Sequence, residues 1–232
     1  MNQGFAVVDF ETTGLSPAKG DRAIEIGLVH VAPDGTLEDE HETLIHVDRS
    51  VGASWVHHIT ARDLLHAPDF EGIAHELRDL LAGRVFVAHN VSFDSRFLLA
   101  EYSRMGASIP VHQSTMLCTM KLSRSLIGRG KLSDCCDYFG IANEDAHSAL
   151  SDAHATALLL GRCWKPIRIG LASSVVSNRP RMPRNSGPHS PHCRKGNGCR
   201  VVRTPRRTPA DLRTLVQRGK RFLISKLGTC RN

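Results

Sequence analysis

Residues 5–10, FAVVDF, form a short apolar run that breaks at Thr12-Thr13-Gly14. That is the pattern of a buried strand ending in a turn. Ala23–Val31 alternates loosely and is rich in β-branched residues, and after Pro33-Asp34-Gly35 a third extended segment covers about 37–47. Strands this closely spaced predict an antiparallel meander. The period then changes. Phe70, Ile73, Ala74, Leu77, Leu80 and Leu81 recur at helical spacing, with Gly83 as a stop signal. Val85-Phe86-Val87-Ala88 follows at once. A helix between two buried strands predicts a crossover, so this strand runs parallel to the first. Further helices are expected from about Ser92 to Gly106, at about 114–126 and 132–139, and at about 148–163. The pattern reads as α/β, a mixed sheet flanked by helices.

The character of the chain changes at Lys165. Stretches such as NRPRMPRNSGPHSPH cannot bury a core and predict a largely disordered tail. Within it, Thr208-Pro209-Ala210-Asp211 looks like a helix start, and the apolar stripe from Leu212 to Leu227 predicts an amphipathic helix at about 209–227. Charge divides at the same place. Residues 1–164 hold 13 Lys and Arg against 22 Asp and Glu, a net −9, whereas 165–232 hold 17 against 1, a net +16. Two physical objects are implied: a domain at 1–164 and a basic Pro/Arg-rich tail at 165–232. The tail has three functional readings besides a bland disordered appendage. It tethers nucleic acid through phosphates, docks a partner such as a DNA polymerase subunit, or, least well supported, binds an anionic membrane surface.

With 232 residues and 41% hydrophobic content, the chain can build one well-formed core. It has no run of eighteen apolar residues and no secretory pattern at its start, so no membrane span is expected. Seven scattered cysteines form no disulfide framework, which predicts a reducing, cytoplasmic setting. His189, His192, Cys193 and Cys199 suggest zinc at first sight, but their spacing fits no standard pattern.

Asp9 and Glu11 stand two apart at the end of the first strand, so both side chains leave the same face. Two neighbouring carboxylates repel unless a cation lies between them, and all-oxygen ligands suit Mg2+ or Mn2+. Taken alone, an Asp-x-Glu at a strand end is usually just solvated. Asp94 lies just past the second buried strand, in HNVSFD. If the two strands are parallel neighbours it points into the same crevice, although a first-turn acid also suits a helix dipole. His147 and Asp152 are five apart, roughly 140° around a helix, so both cannot face one site from within it. Asp152 is therefore placed in the last helix and His147 on the loop before it. Ala149, Ala153 and Ala157 keep that helix thin against the sheet.

In this order, DFETTGL at 9–15, HNVSFD at 89–94 and HSALSDA at 147–153 resemble the three motifs of the DnaQ-like DEDDh 3′→5′ exonuclease family. That family includes the proofreading epsilon subunit of bacterial DNA polymerase III. Val56-His57-His58-Ile59-Thr60 and Lys131-Leu132-Ser133 leading to Gly140-Ile141 match its spacers. The resemblance covers about 5–163. It implies a ribonuclease H-like fold with a mixed five-stranded sheet, and Asp9, Glu11, Asp94 and Asp152 as ligands of two Mg2+ or Mn2+ ions. It further implies His147 as general base, with Thr12, Thr13, Leu15 and, less firmly, His57 against the terminal nucleotide. His89 and Asn90 are read as supports of the strand-to-helix turn.

The implied activity is 3′→5′ hydrolysis of single-stranded DNA to nucleoside 5′-monophosphates, in proofreading or repair. An exonuclease trimming RNA 3′ ends fits the same motifs, and a non-catalytic nucleic-acid-binding module is the reading from another class. One departure stands out. Family members commonly carry glycine where this chain has His58. A left-handed φ there costs a non-glycine residue about a kcal/mol, which predicts a displaced loop and weakens the role of His57.

Overall fold

The computed structural model describes residues 3–108, 111, 115–143 and 145–175, with side chains as far as Trp164. The chain divides into two units, Met1–Lys165 and Pro166–Asn232. Beyond Val175 the expectations for the tail, including the helix at 209–227 and the zinc reading of His189, His192, Cys193 and Cys199, lie outside the described residues.

The first unit is built on strands β1 (Phe5–Thr12), β2 (Ala23–Val31), β3 (Leu37–Leu44), β4 (Val85–Ala88) and β5 (Leu117–Cys118). They form one sheet in the order β3-β2-β1-β4-β5. β1 pairs with β2 and β2 with β3 antiparallel, the meander that the sequence predicts, while β1–β4 and β4–β5 are parallel. Helices α1 (Ser54–His57) and α2 (Phe70–Leu81) connect β3 to β4, α3 (Val91–Arg104) connects β4 to β5, and α4 (Thr119–Ile127), α5 (Leu132–Phe139) and α6 (Ala149–Val175) follow β5. This is the mixed five-stranded, helix-flanked sheet implied by the motif resemblance.

Sequence explains the layers. Alternate residues of β1 and β2, including Ala6, Val8, Ile26 and Leu28, pack under Phe70, Leu77 and Leu81 of α2 and Leu98 and Tyr102 of α3. Residues of the opposite parity, Phe5, Val7, Val29 and Val31, meet Ala153, Ala157 and Leu160 of α6. Asp69 starts α2 by accepting the Gly72 N–H at 2.8 Å. Small residues bring α6 close. An ideal Cβ on Gly27 would collide with the backbone of Ala149 and Leu150, so only glycine fits at the centre of β2.

Several boundaries differ from expectation. The third strand stops at Leu44 rather than 47. The helix expected at 114–126 is instead the two-residue strand β5 followed by α4. Leu117 and Cys118 are pulled into the sheet by pairing with Val87 and Ala88, a tertiary effect with no periodic signature. The last helix continues to Val175 instead of ending near 163. The one-turn helix α1 has no counterpart among the expected elements.

Candidate active site

β1 and β4 lie side by side, with Val7 opposite Val87, so their carboxyl ends open on the same crevice. Asp9 and Glu11 come from the end of β1. Asp94 comes from the first turn of α3, where it is 3% exposed. Asp152 comes from the first turn of α6, and its N–H donates to the Ser148 carbonyl at 3.0 Å. His147 lies outside that helix, in a turn with φ of 75°, which turns its side chain back toward the crevice. Donor atoms of Glu11, His147 and Asp152 all fall within 4.8 Å of one another. The loop placement of His147 and the helical placement of Asp152 thus solve the 140° problem that their spacing poses.

The electrostatics mark the cluster as under strain without a cation. Burial raises the Asp9 carboxyl well above its ordinary range, and repulsion from Asp94, Asp152, Glu11 and Glu25 adds to it. Glu11 is pushed up to about 8, by burial first and then by Asp152, Glu25 and Asp94. Asp94 is also raised by burial, opposed by backbone hydrogen bonding from Phe10. A divalent cation relieves all three, and Asp9, Glu11, Asp94 and Asp152 offer it carboxylate oxygens alone, with the His147 imidazole beside them. The residues present therefore fit a hard divalent ion.

The turn after β1 is firmly held. The Thr12 hydroxyl donates to the Gly14 carbonyl at 2.6 Å, and the buried Thr13 hydroxyl accepts the Arg22 N–H at 3.1 Å. The Arg22 guanidinium in turn grips the buried Glu101 carboxylate of α3 at 2.8–3.0 Å, with Arg104 on its other side at 3.0 Å. Leu15, by contrast, is 78% exposed. His57 is buried, and its Nδ1 accepts the Ile59 N–H at 3.1 Å, so its ring braces its own loop. His58 closes α1 with φ of 59° and its N–H on the Ser54 carbonyl. The chain keeps a left-handed residue there despite the histidine, so the loop retains the turn a glycine would make instead of the displacement expected.

His89 and Asn90 act as supports. Nε2 of His89 donates to the Gly130 carbonyl at 2.9 Å, and Nδ1 pairs with the Thr119 hydroxyl at 3.0 Å, which ties the end of β4 to the start of α4 and to the turn after it. Asn90 precedes α3, and its carbonyl accepts the Phe93 N–H at 2.7 Å.

Two residues near the cluster escape motif reading. Glu25, 8% exposed on β2, accepts the Ala149 N–H at 2.9 Å and so caps α6 from the sheet. Asn143 donates to Asp152 Oδ1 at 2.6 Å and is itself held by the Ser151 hydroxyl at 2.8 Å. An acid inside a fully buried strand was the available signal for Glu25. No sequence signal marks Asn143.

Residues 6–160 match the family model described as an exonuclease. The chain is 34% identical over 173 residues to the 3′-5′ exonuclease DinG of Bacillus subtilis, covering 72% of this chain and 18% of that protein. It is 35% identical over 161 residues to a PolC-type DNA polymerase III of Thermotoga petrophila, covering 67% and 11%. The chain thus spans less than a fifth of the length of these curated relatives. Among solved structures, exonuclease X in complex with 5′-overhanging duplex DNA superposes with a TM-score of 0.56 at 26% identity, over 70% of this chain and 92% of that one. The sheet is accordingly that of the ribonuclease H-like exonuclease fold. With its carboxylates and histidine gathered in one crevice, the chain belongs to the exonuclease family and carries a domain of the DEDDh type.

Proposed function

We propose that this protein removes nucleoside 5′-monophosphates from the 3′ end of single-stranded DNA, with Asp9, Glu11, Asp94 and Asp152 holding two divalent cations, Mg2+ or Mn2+. The observation that carries this reading is the convergence of Glu11, Asp152 and His147 within 4.8 Å beside the half-buried Asp9 and the buried Asp94 that repels it. Bound in such a site, divalent ions lower the pKa of a water and neutralise charge on the reacting phosphate and the leaving 3′ oxygen. The carboxylates of this chain fix where those ions sit. His147 accepts the attacking water's proton on an imidazole nitrogen. The turn Thr12–Leu15 receives the terminal nucleotide, with exposed Leu15 toward the bases and buried Thr13 anchoring the turn through Arg22. His57 supports that pocket from behind.

DNA is favoured over RNA by the DNA-bound exonuclease X and by the PolC-type DNA polymerase III relative. Segment 165–232 is read as a separate part that tethers nucleic acid or docks a polymerase subunit, outside the chemistry. Among the described residues no helix is long and apolar enough to cross a membrane, and Cys118, Cys135, Cys136 and Cys163 are buried and unbridged, which suits a reducing cytoplasm. The test uses matched DNA and RNA oligomers labelled at the 3′ or 5′ end, with Mg2+, Mn2+ or EDTA. The 3′ label should be released first, as a mononucleotide, faster from DNA and not at all in EDTA. Release from the 5′ end, or hydrolysis that survives EDTA, would overturn this function.

A further inference from the structure

The first unit is acidic overall, yet its charge is unevenly placed. Residues 102–133 contain five basic residues and no acidic one. Four of them, Lys121, Arg124, Arg129 and Lys131, are exposed on α4 and on the turn from α4 to α5. Lys121 and Arg124 stand three apart on the solvent face of α4, while Thr119 and Ser123 fill its buried face. Arg129 lies 5.5 Å from the ring centroid of Tyr138, which is 55% exposed. The opposite edge of the sheet has the other sign. Glu38, Asp39, Glu40 and Glu42 of β3 are all exposed, and Glu42 reaches Ser148 beside the first turn of α6 at 3.3 Å.

The basic surface also adjoins the crevice. His89, at the end of β4, donates to the Gly130 carbonyl inside that turn, and the Arg124 guanidinium stem packs over Gly130. His89 itself follows β4, the strand that runs parallel beside β1 and its Asp9 and Glu11. A polyanion leaving the cluster is therefore repelled from β3 and attracted toward α4.

We propose that Lys121, Arg124, Arg129 and Lys131 form the track for the phosphate backbone of the single strand upstream of the scissile end, with Tyr138 offering its ring face to one upstream base. This rests on the exonuclease reading above and adds the path of the substrate. Phosphate contacts supply sequence-independent affinity, and an exposed aromatic ring beside them suits any base.

The test compares the full chain with the K121Q/R124Q/R129Q triple variant and with Tyr138→Ala. All four positions are solvent-facing, and circular dichroism checks that the variants fold. Binding of fluorescent dT12 and rU12 is measured in EDTA over a salt series, which needs no hydrolysis. The slope of log K against log salt should flatten by about 0.7 for each phosphate no longer held, so by about 2 for the triple variant. Tyr138→Ala should weaken binding by about fivefold or more. The tail is the same in every protein, so the differences report the patch alone. Hydrolysis then locates it: in the triple variant KM for the twelve-nucleotide strand should rise, by roughly tenfold at low salt, while KM for a dinucleotide should not. An unchanged salt slope, or an equal loss on dinucleotide and long strand, would overturn the track. Wild-type binding without any Mg2+-dependent release of 3′ nucleotides would instead overturn the exonuclease reading and leave the binding result to stand or fall alone.

Discussion

Asp9 and Glu11 at the end of β1, and His147 and Asp152 around the start of α6, meet in one crevice but reach it in different ways. The β1 pair is delivered by regular geometry, because a strand places residues two apart on one face and no further device is needed. The α6 pair depends on its surroundings. His147 sits at φ of 75°, Asp152 is gripped by Asn143, and the first turn of the helix rests on β2 through the Glu25–Ala149 hydrogen bond and the space left by Gly27. One half of the site is built by its own backbone and the other by its neighbours. Substitutions should therefore act on the first half only through the ligands themselves, and on the second half through residues that touch no substrate.

The largest effect is expected at the strand. Asp9→Ala should abolish hydrolysis and yet leave the metal-free fold as stable as before or more so, since it removes one of several repelling carboxylates. Activity assays paired with thermal melts in EDTA check both halves of this statement. His147→Ala should come next, lowering kcat by roughly 10²–10⁴ with little change in Mg2+ affinity, and the defect should shrink as pH rises because hydroxide replaces the missing base. A parallel loss of metal affinity would make His147 a ligand instead. Gly27→Ala tests the support. The new methyl group would press on Ala149 and Leu150, displacing the turn before Asp152, and should reduce kcat by about tenfold to a hundredfold. Glu25→Gln keeps an acceptor for the Ala149 N–H and should stay much nearer to wild type in the same assay.

The smallest effect is on stability against pH. Asp9, Glu11 and Asp94 have folded-state values raised above the ordinary carboxylate range of about 4, Glu11 to about 8. Between those limits the native protein binds more protons than the unfolded chain, so the contribution of these groups to stability falls as pH rises from about 4 to about 8. Below about 4 both states are protonated and the term is flat. Melting temperatures in EDTA should accordingly decline over that window more steeply than in Mg2+, where the carboxylates are ionised in the folded and the unfolded state alike. Parallel curves would detach these pKa shifts from metal binding.

This division also sets what the sequence reveals. The strands 5–10 and 23–31, the helix 70–81 and the parallel β4 are legible because their hydrophobic periods match their burial. Asp9, Glu11, Asp94, His147 and Asp152 are legible as an ordered set, although none of them carries weight singly. β5 is not legible, because two residues cannot express a period and only pairing with β4 makes them a strand. Glu25 reads as one polar residue in an apolar strand until Ala149 is seen above it. Asn143 gains meaning only from its 2.6 Å contact with a residue nine positions away. At His58 the histidine in a glycine position predicts a displaced loop, whereas the structure keeps the left-handed turn with φ of 59°.

Whether the carboxylate cluster is a divalent-metal site, on which everything above depends, is tested most directly by thermal melts of wild type and Asp9→Ala with and without Mg2+. Binding to the native state alone stabilises a protein by mass action, by about 2.7 kcal/mol at a hundred times Kd. The wild type should gain several degrees from saturating Mg2+, and Asp9→Ala should gain much less. Equal Mg2+ shifts in the two proteins would contradict the site and, with it, the mechanism built on it.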